Sequence, residues 1–308
     1  MTARCPACGG AGEPWAVVHD VEYRTSDDEF AYARCTQCAV VFLPDPPVDR
    51  LAEIYPSTYY AYAEDERSVV QKVKSALDRR QFRRLLAGIP GSSLAALDVG
   101  GGDGWLLSTL RSVDERIQRT VVVDLDEHAK ERAAARGHES FCGRIEDYDD
   151  PGPFDVVLLL NLIEHVADPG EVLRRLAGLL SPGGVILVKT PNVDSLDARL
   201  FRHRDWGGYH CPRHWVLFDR PSFVALAERS GLTAHNVAYT QGAPFWTVSV
   251  LAGLARRRLV RITPERPVFE HPLFAPLAAG FAAFDLARSK VGAKPSQMFV
   301  ELVRKDAA

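Results

Sequence analysis

The chain has 308 residues, 46% of them hydrophobic, which suffices for one large core or for a core with a small satellite domain. Its 37 basic and 40 acidic residues leave a formal net charge of -3, which gives no general attraction to nucleic acid or anionic lipid. No apolar run is long enough to span a membrane and the opening residues lack the apolar stretch of a secretory signal, so a cytoplasmic location is expected.

In such a reducing compartment, paired cysteines are read as metal ligands or redox groups before they are read as disulfides. Residues 1–45 hold two such pairs, Cys5-Pro-Ala-Cys8 and Cys35-Thr-Gln-Cys38. Together they supply four soft ligands for a closed tetrahedral structural zinc site, and a unit this small needs that ion for much of its folding energy. Residues 46–93 follow as a linker and helix: a Pro-rich joint, a Tyr-rich stretch from Leu51 to Tyr62, and an amphipathic pattern over 66–87 with Val69, Val73, Leu77, Phe82 and Leu85 on one side.

From Leu94 to the end the pattern is that of one large α/β domain. Apolar strands are expected at Leu94–Val99, Arg119–Val123, His138–Cys142, Phe154–Leu160 and Val185–Lys189, with helices between them. Repeated strand–helix units of this length predict a doubly wound, mainly parallel sheet of the Rossmann-like kind, seven-stranded, with helices on both faces. Residues 191–217 read as a long loop, and 243–290 as a helical insertion of two apolar helices around Arg256-Arg-Arg258. The last strands are expected at Thr233–Tyr239 and Gln297–Val303.

The first strand runs into Asp98-Val-Gly100-Gly-Gly102-Asp-Gly104, and a helix pattern starts at Trp105. Spaced glycines at a strand-to-helix turn let a ligand approach the backbone. Such a turn alone does not separate a dinucleotide from other nucleosides. Two carboxylates do. Asp124 ends the next strand, where it can accept hydrogen bonds from ribose hydroxyls. Asp98 lies beside the turn, where it would repel a pyrophosphate but suit an ammonium and a sulfonium. This favours S-adenosylmethionine over NAD.

On these residues the chain resembles the class I S-adenosylmethionine-dependent methyltransferases. Leu97 to Gly104 looks like the family's first motif, Val123-Asp124 like its ribose-binding acidic end, and Gly143-Arg-Ile145-Glu146-Asp147 like its adenine region. Phe154 to Pro169 and Leu180 to Asn192 look like its fourth- and fifth-strand signatures. The resemblance implies cofactor contacts at Asp98, Gly100, Gly102, Gly104, Asp124, Leu125, Ile145, Glu146 and Asn161. The order of cysteine pairs, tyrosines, core and His210-Cys-Pro-Arg-His214 loop also resembles the zinc-containing C-methyltransferases of deoxysugar nucleotides, which implies that the N-terminal unit and Tyr60 cover the substrate.

Candidate catalytic residues are His165 and Glu164, just past the fourth strand, with His210, His214 and Tyr60. Neutral imidazole suits proton removal from an acceptor. Arg202, Arg204 and Arg213 are expected to form an anion-binding rim. The expected acceptor is a small polar molecule such as a sugar, a nucleotide sugar or a glycan or secondary-metabolite precursor. An RNA or protein acceptor is the alternative, although Glu13, Asp20, Glu22, Asp27, Asp28 and Glu29 make residues 1–45 too acidic for a phosphate backbone. A lipid-linked substrate at a membrane surface and a non-catalytic cofactor-binding protein are further alternatives. Residues 243–290 offer either a lid or homodimer face, the preferred reading, or a peripheral membrane contact.

Overall fold

The computed structural model describes residues 3–55, 69–149 and 152–305. In chain order the elements are β1 (Gly12–Val18), β2 (Phe30–Cys35), β3 (Val41–Phe42), α1 (Leu51–Ile54), α2 (Val69–Leu86), β4 (Leu94–Val99), α3 (Trp105–Val113), β5 (Ile117–Asp124), α4 (Glu127–Ala135), β6 (Glu139–Cys142), β7 (Phe154–Leu160) and α5 (Pro169–Leu179). They continue with β8 (Leu180–Pro191), α6 (Leu196–Phe201), β9 (Val216–Leu217), α7 (Arg220–Arg229), β10 (Leu232–Thr240), α8 (Ala243–Arg256), α9 (Phe274–Ser289) and β11 (Gln297–Arg304).

Among the described residues, seven strands form one sheet in the order β10-β11-β8-β7-β4-β5-β6. β8, β7, β4, β5 and β6 run parallel, while β11 pairs antiparallel with both β8 and β10. This is the expected doubly wound sheet. β7 is buried along almost its whole length, as a central strand covered on both faces must be. The helices on its faces start where the sequence signals them. Asp168 accepts the Glu171 N–H at 2.8 Å with Pro169 at the first position of α5. Asp219 and Ser222 form a reciprocal cap at the start of α7.

α2 packs through Phe82, Leu85 and Leu86, but Leu77, expected on the apolar side, is 61% exposed. Among the described side chains of this helix, those that reach the core lie in its last two turns, and Leu77 precedes them. The side chains of Val69 and Val73 lie outside the described residues.

The second sheet, β1-β2-β3-β9, joins the cysteine-rich unit to the stretch expected as a loop. Val41 pairs with Leu217 and Phe42 with Val216, and the Leu43 N–H donates to the Trp215 carbonyl at 2.8 Å. Residues 191–217 therefore contain a short helix and a strand that completes the N-terminal sheet. The insertion covers the same place from the other side. Val248 and Leu251 of α8 are buried, Trp246 stacks on Phe281 of α9, and the Gly207 N–H donates to Ser249 Oγ at 2.8 Å. Leu286 stays exposed, and Phe284 is partly exposed while its ring meets Trp246 edge-on. Among the described residues, no helix is long and apolar enough to cross a membrane.

Candidate functional site

Parallel strands aim their carboxyl ends at one edge of the sheet, where ligands bind in this architecture. β4, β5 and β7 bring three segments there: the glycine turn, Asp124, and Asn161 to His165. The turn is locked onto its neighbours. The Gly100 N–H donates to the Val123 carbonyl at 2.8 Å, and the Gly102 N–H donates to Asp124 Oδ2 at 2.9 Å. Asp124 Oδ1 accepts the Asp126 N–H at 3.0 Å. Gly102 has φ +55, and a Cβ there would meet nothing within 4 Å, so the turn borders open space. Gly104 has φ +76, and its Cβ would lie 2.5 Å from His138 Cδ2, so only glycine lets α3 begin so close to that ring.

Asp98 lies under this turn and is almost wholly buried, with Oδ2 lacking a hydrogen-bond partner. Burial pushes its carboxyl well above the usual range, and the nearby charges of Asp124 and Asp103 add to the push. An orphaned carboxylate under an open glycine cradle fits a cationic ligand group and disfavours a pyrophosphate. Leu125 is 61% exposed on the same edge, Ile145 is buried, and Glu146 is exposed in the 3-10 turn Ile145–Asp147. Asn161 is exposed with φ +55, its N–H held by the Lys189 carbonyl at 2.8 Å.

The histidines come together. The ring centroids of His165 and His214 are 4.6 Å apart, those of His210 and His214 4.9 Å, and those of His165 and His210 6.1 Å. His214 Nδ1 donates to the Gly208 carbonyl at 2.8 Å, which leaves Nε2 as an acceptor, 3.9 Å from Glu164 Oε1. His165 Nδ1 shares a hydrogen bond with Tyr55 Oη at 2.9 Å. His210 Nδ1 pairs closely with the buried Glu22 carboxylate. Burial pushes the His165 ring down to about 3, with His210 adding to the effect, and pushes His214 well below the usual range. Burial also raises Glu164 to about 8. Tyr60 lies outside the described residues; among the described residues of the same stretch, Tyr55 reaches the cluster.

In the sequence Asp20 and Glu22 count only toward the acidity of residues 1–45; the structure buries both. Asp20 pairs with Arg213 at 3.1 Å, both side chains fully shielded from solvent. This removes Arg213 from the expected anion-binding rim. Arg213 is consumed by Asp20 and by the Ile54 and Cys211 carbonyls, and Arg202 stacks 3.4 Å over the Trp15 ring.

The four N-terminal cysteines also converge. Sγ separations are 3.3 Å for Cys8–Cys38, 3.4 Å for Cys8–Cys35 and 3.6 Å for Cys5–Cys38, and none is in a disulfide. A zinc ion with Zn–S bonds of about 2.3 Å in a tetrahedron needs sulfurs about 3.8 Å apart, so the set fits a structural zinc after a small expansion. Burial raises the Cys5 and Cys38 thiols, Cys38 to about 11. At Cys35 burial is outweighed by the Cys38 and Gln37 N–H groups, which bring it to about 7. The closed set of four sulfurs leaves no position for substrate.

A family model described as a methyltransferase domain matches residues 71–237, more than half of the chain. The chain belongs to the class I S-adenosylmethionine-dependent methyltransferases. It is 38% identical over 179 residues to a ubiquinone biosynthesis O-methyltransferase of Bradyrhizobium sp. (strain ORS 278), across 51% of this chain and 67% of that one. It is 39% identical over 112 residues to a protein of the same name from Caulobacter sp. (strain K31), but there it spans only 43% of the relative's length. The fold is shared with coclaurine N-methyltransferase bound to N-methylheliamine and SAH, at TM-score 0.51 and 15% identity, covering 83% of this chain and 81% of that one. The family uses S-adenosylmethionine, and the cradle of Asp98, the glycine turn and Asp124 could hold it.

Proposed function

We propose that this methyltransferase transfers a methyl group to a hydroxyl oxygen of a small polar molecule, and that His210 receives the hydroxyl proton. When bound, S-adenosylmethionine supplies an electrophilic methyl on a sulfonium. The chain must then align an acceptor and take its proton. The observation that carries the reading is the Glu22–His210 pair beside His165 and His214. A carboxylate behind an imidazole fixes its orientation and stabilises the cation formed when the ring takes a proton. Tyr23, with its ring 6.3 Å from that of His210, and Tyr209 and Trp206, 5.4 Å apart, line the surroundings with aromatic surface.

The names of the Bradyrhizobium and Caulobacter relatives support oxygen as the acceptor atom. The order of the cysteine pairs and the histidine loop supports a sugar, nucleotide sugar or glycan precursor as the first class to try. The test is to incubate the purified protein with S-adenosylmethionine and a panel of nucleotide sugars, simple sugars, phenols, RNA and protein. Formation of SAH with a small-molecule product one methylene heavier is the expected result. Methylation of RNA or protein alone, or SAH binding without turnover on any member, would overturn the reading.

A further inference from the structure

Glu164 is fully buried, and neither carboxylate oxygen makes a hydrogen bond of good geometry, although the Thr190 hydroxyl and the Lys189 charge lie near enough to favour its ionised form. Buried carboxylates are normally paired, because an uncompensated one costs several kcal/mol. Two imidazoles stand beside it. One ligand atom from each of Glu164, His165 and His214 lies within 4.8 Å of the others. The 3.9 Å between His214 Nε2 and Glu164 Oε1 is too long for a hydrogen bond. It is right for two ligands of one ion, since metal–ligand bonds of about 2.0–2.2 Å put neighbouring donors roughly 3–4 Å apart.

The surroundings support the same reading. A metal-binding imidazole usually donates its other N–H to a carbonyl or carboxylate, which fixes the ring. His214 does this through Nδ1 to the Gly208 carbonyl, while the His165 ring is oriented by Tyr55 Oη at Nδ1 and by the Arg213 carbonyl. Arg213, the cation beside the two histidines, is met by Asp20, and His210 is met by Glu22, while Lys189 acts on Glu164 through its charge alone.

We propose that Glu164, His165 and His214 form a second metal site, separate from the four cysteines, that takes a divalent transition-metal cation. Two histidines and one carboxylate leave coordination positions open. The chemistry they would accept is an acceptor with two adjacent oxygens, such as a vicinal diol or a catechol. That last step rests on the methyl-transfer reading above; the metal site does not.

The sequence does not announce this site because its ligands come from distant segments, Glu164 and His165 from the turn after β7 and His214 from the later loop, joined where the Trp215 N–H donates to the Glu164 carbonyl at 2.7 Å.

The test is cobalt titration of the zinc-loaded full chain after dialysis against a mild chelator. The expected result is one further equivalent of Co2+, with weak visible bands of nitrogen and oxygen ligation and no thiolate charge-transfer band. His214→Ala and Glu164→Gln should each lose that equivalent while keeping zinc and SAH binding. The proposal fails if the wild type takes up no cobalt beyond the cysteine site, or if both variants still bind it. Should a variant not fold, the wild-type stoichiometry and spectrum decide alone. Adding cobalt to the methyl-transfer assay then tests the acceptor step: a metal-bound protein without turnover would overturn the methyl-transfer reading and leave the site standing.

Discussion

Arg213 and Asp20 meet 3.1 Å apart with both side chains fully shielded from solvent, and they tie the N-terminal unit to the histidine loop. Their remaining polar atoms are also used. Asp20 accepts the Thr25 N–H at 2.9 Å, Thr25 Oγ1–H at 2.7 Å and the Tyr23 N–H at 3.1 Å, while Arg213 Nε donates to the Ile54 carbonyl at 2.6 Å. Removing one partner of such a pair leaves a buried charge without compensation, which costs about 3–5 kcal/mol. Asp20→Ala should lower the stability by that amount in denaturant unfolding. A change below about 1 kcal/mol would show that the pair is not a structural tie.

The same pair gives a pH dependence with a definite sign. Burial pushes the Asp20 carboxyl up, but the Arg213 charge and the hydrogen bonds from Arg213 and Thr25 outweigh it, so it titrates below the usual value. The unfolded chain takes up this proton near about pH 3.9. The folded pKa is the lower one, so the stabilisation is complete above the unfolded value and is lost as pH falls through the folded one. Wild type should therefore lose more stability than Asp20→Asn between about pH 5 and pH 2. Parallel acid-unfolding curves would contradict this.

Zinc removal should reach beyond the cysteines. β2 carries Cys35 at its end and pairs with β3, which pairs with β9 just after His214. Stripping the ion with a strong chelator should raise amide exchange in β1 to β3 and in Val216–Leu217, while β4, β7 and β8 stay protected. Exchange confined to residues near the cysteines would show that the two parts are energetically separate.

Asp124 holds the glycine turn through the Gly102 N–H and is the residue expected to meet a ribose. Asp124→Ala removes hydrogen bonds to a charged acceptor, each worth about 1.5–3 kcal/mol. SAH affinity measured by calorimetry should fall roughly 10- to 150-fold. An unchanged affinity would move the nucleoside elsewhere.

The α/β sheet was legible because its signals are local: apolar runs, a glycine turn, and caps such as Asp168 and Asp219. The zinc cluster was legible because each cysteine pair lies within one short turn. The partners of the histidines were not. Glu22, Tyr55 and Asp20 are separated from His210, His165 and Arg213 by long stretches of chain, and their pairing depends on β3 meeting β9. Two residues in that pairing, Val216 and Leu217, are too few to announce a strand. The acidity of Asp20 to Glu29 therefore speaks in the sequence only against a phosphate backbone, although the fold turns Asp20 and Glu22 inward.

The proposed base is tested by separating chemistry from binding. His210→Asn keeps a polar side chain of smaller size but cannot take the proton, and Glu22→Gln keeps the shape of the partner without its charge. General base catalysis contributes about 10²–10⁴-fold, so His210→Asn should lower kcat within that range. Glu22→Gln should lower kcat by less, because the imidazole remains but loses the charge that stabilises its protonated form. SAH affinity should stay within about twofold in both, since neither residue belongs to the glycine cradle; a loss of binding in step with kcat would mark a structural role instead. A His210→Asn protein that turns over at the wild-type rate would remove His210 from the chemistry and pass proton removal to the acceptor itself or to solvent.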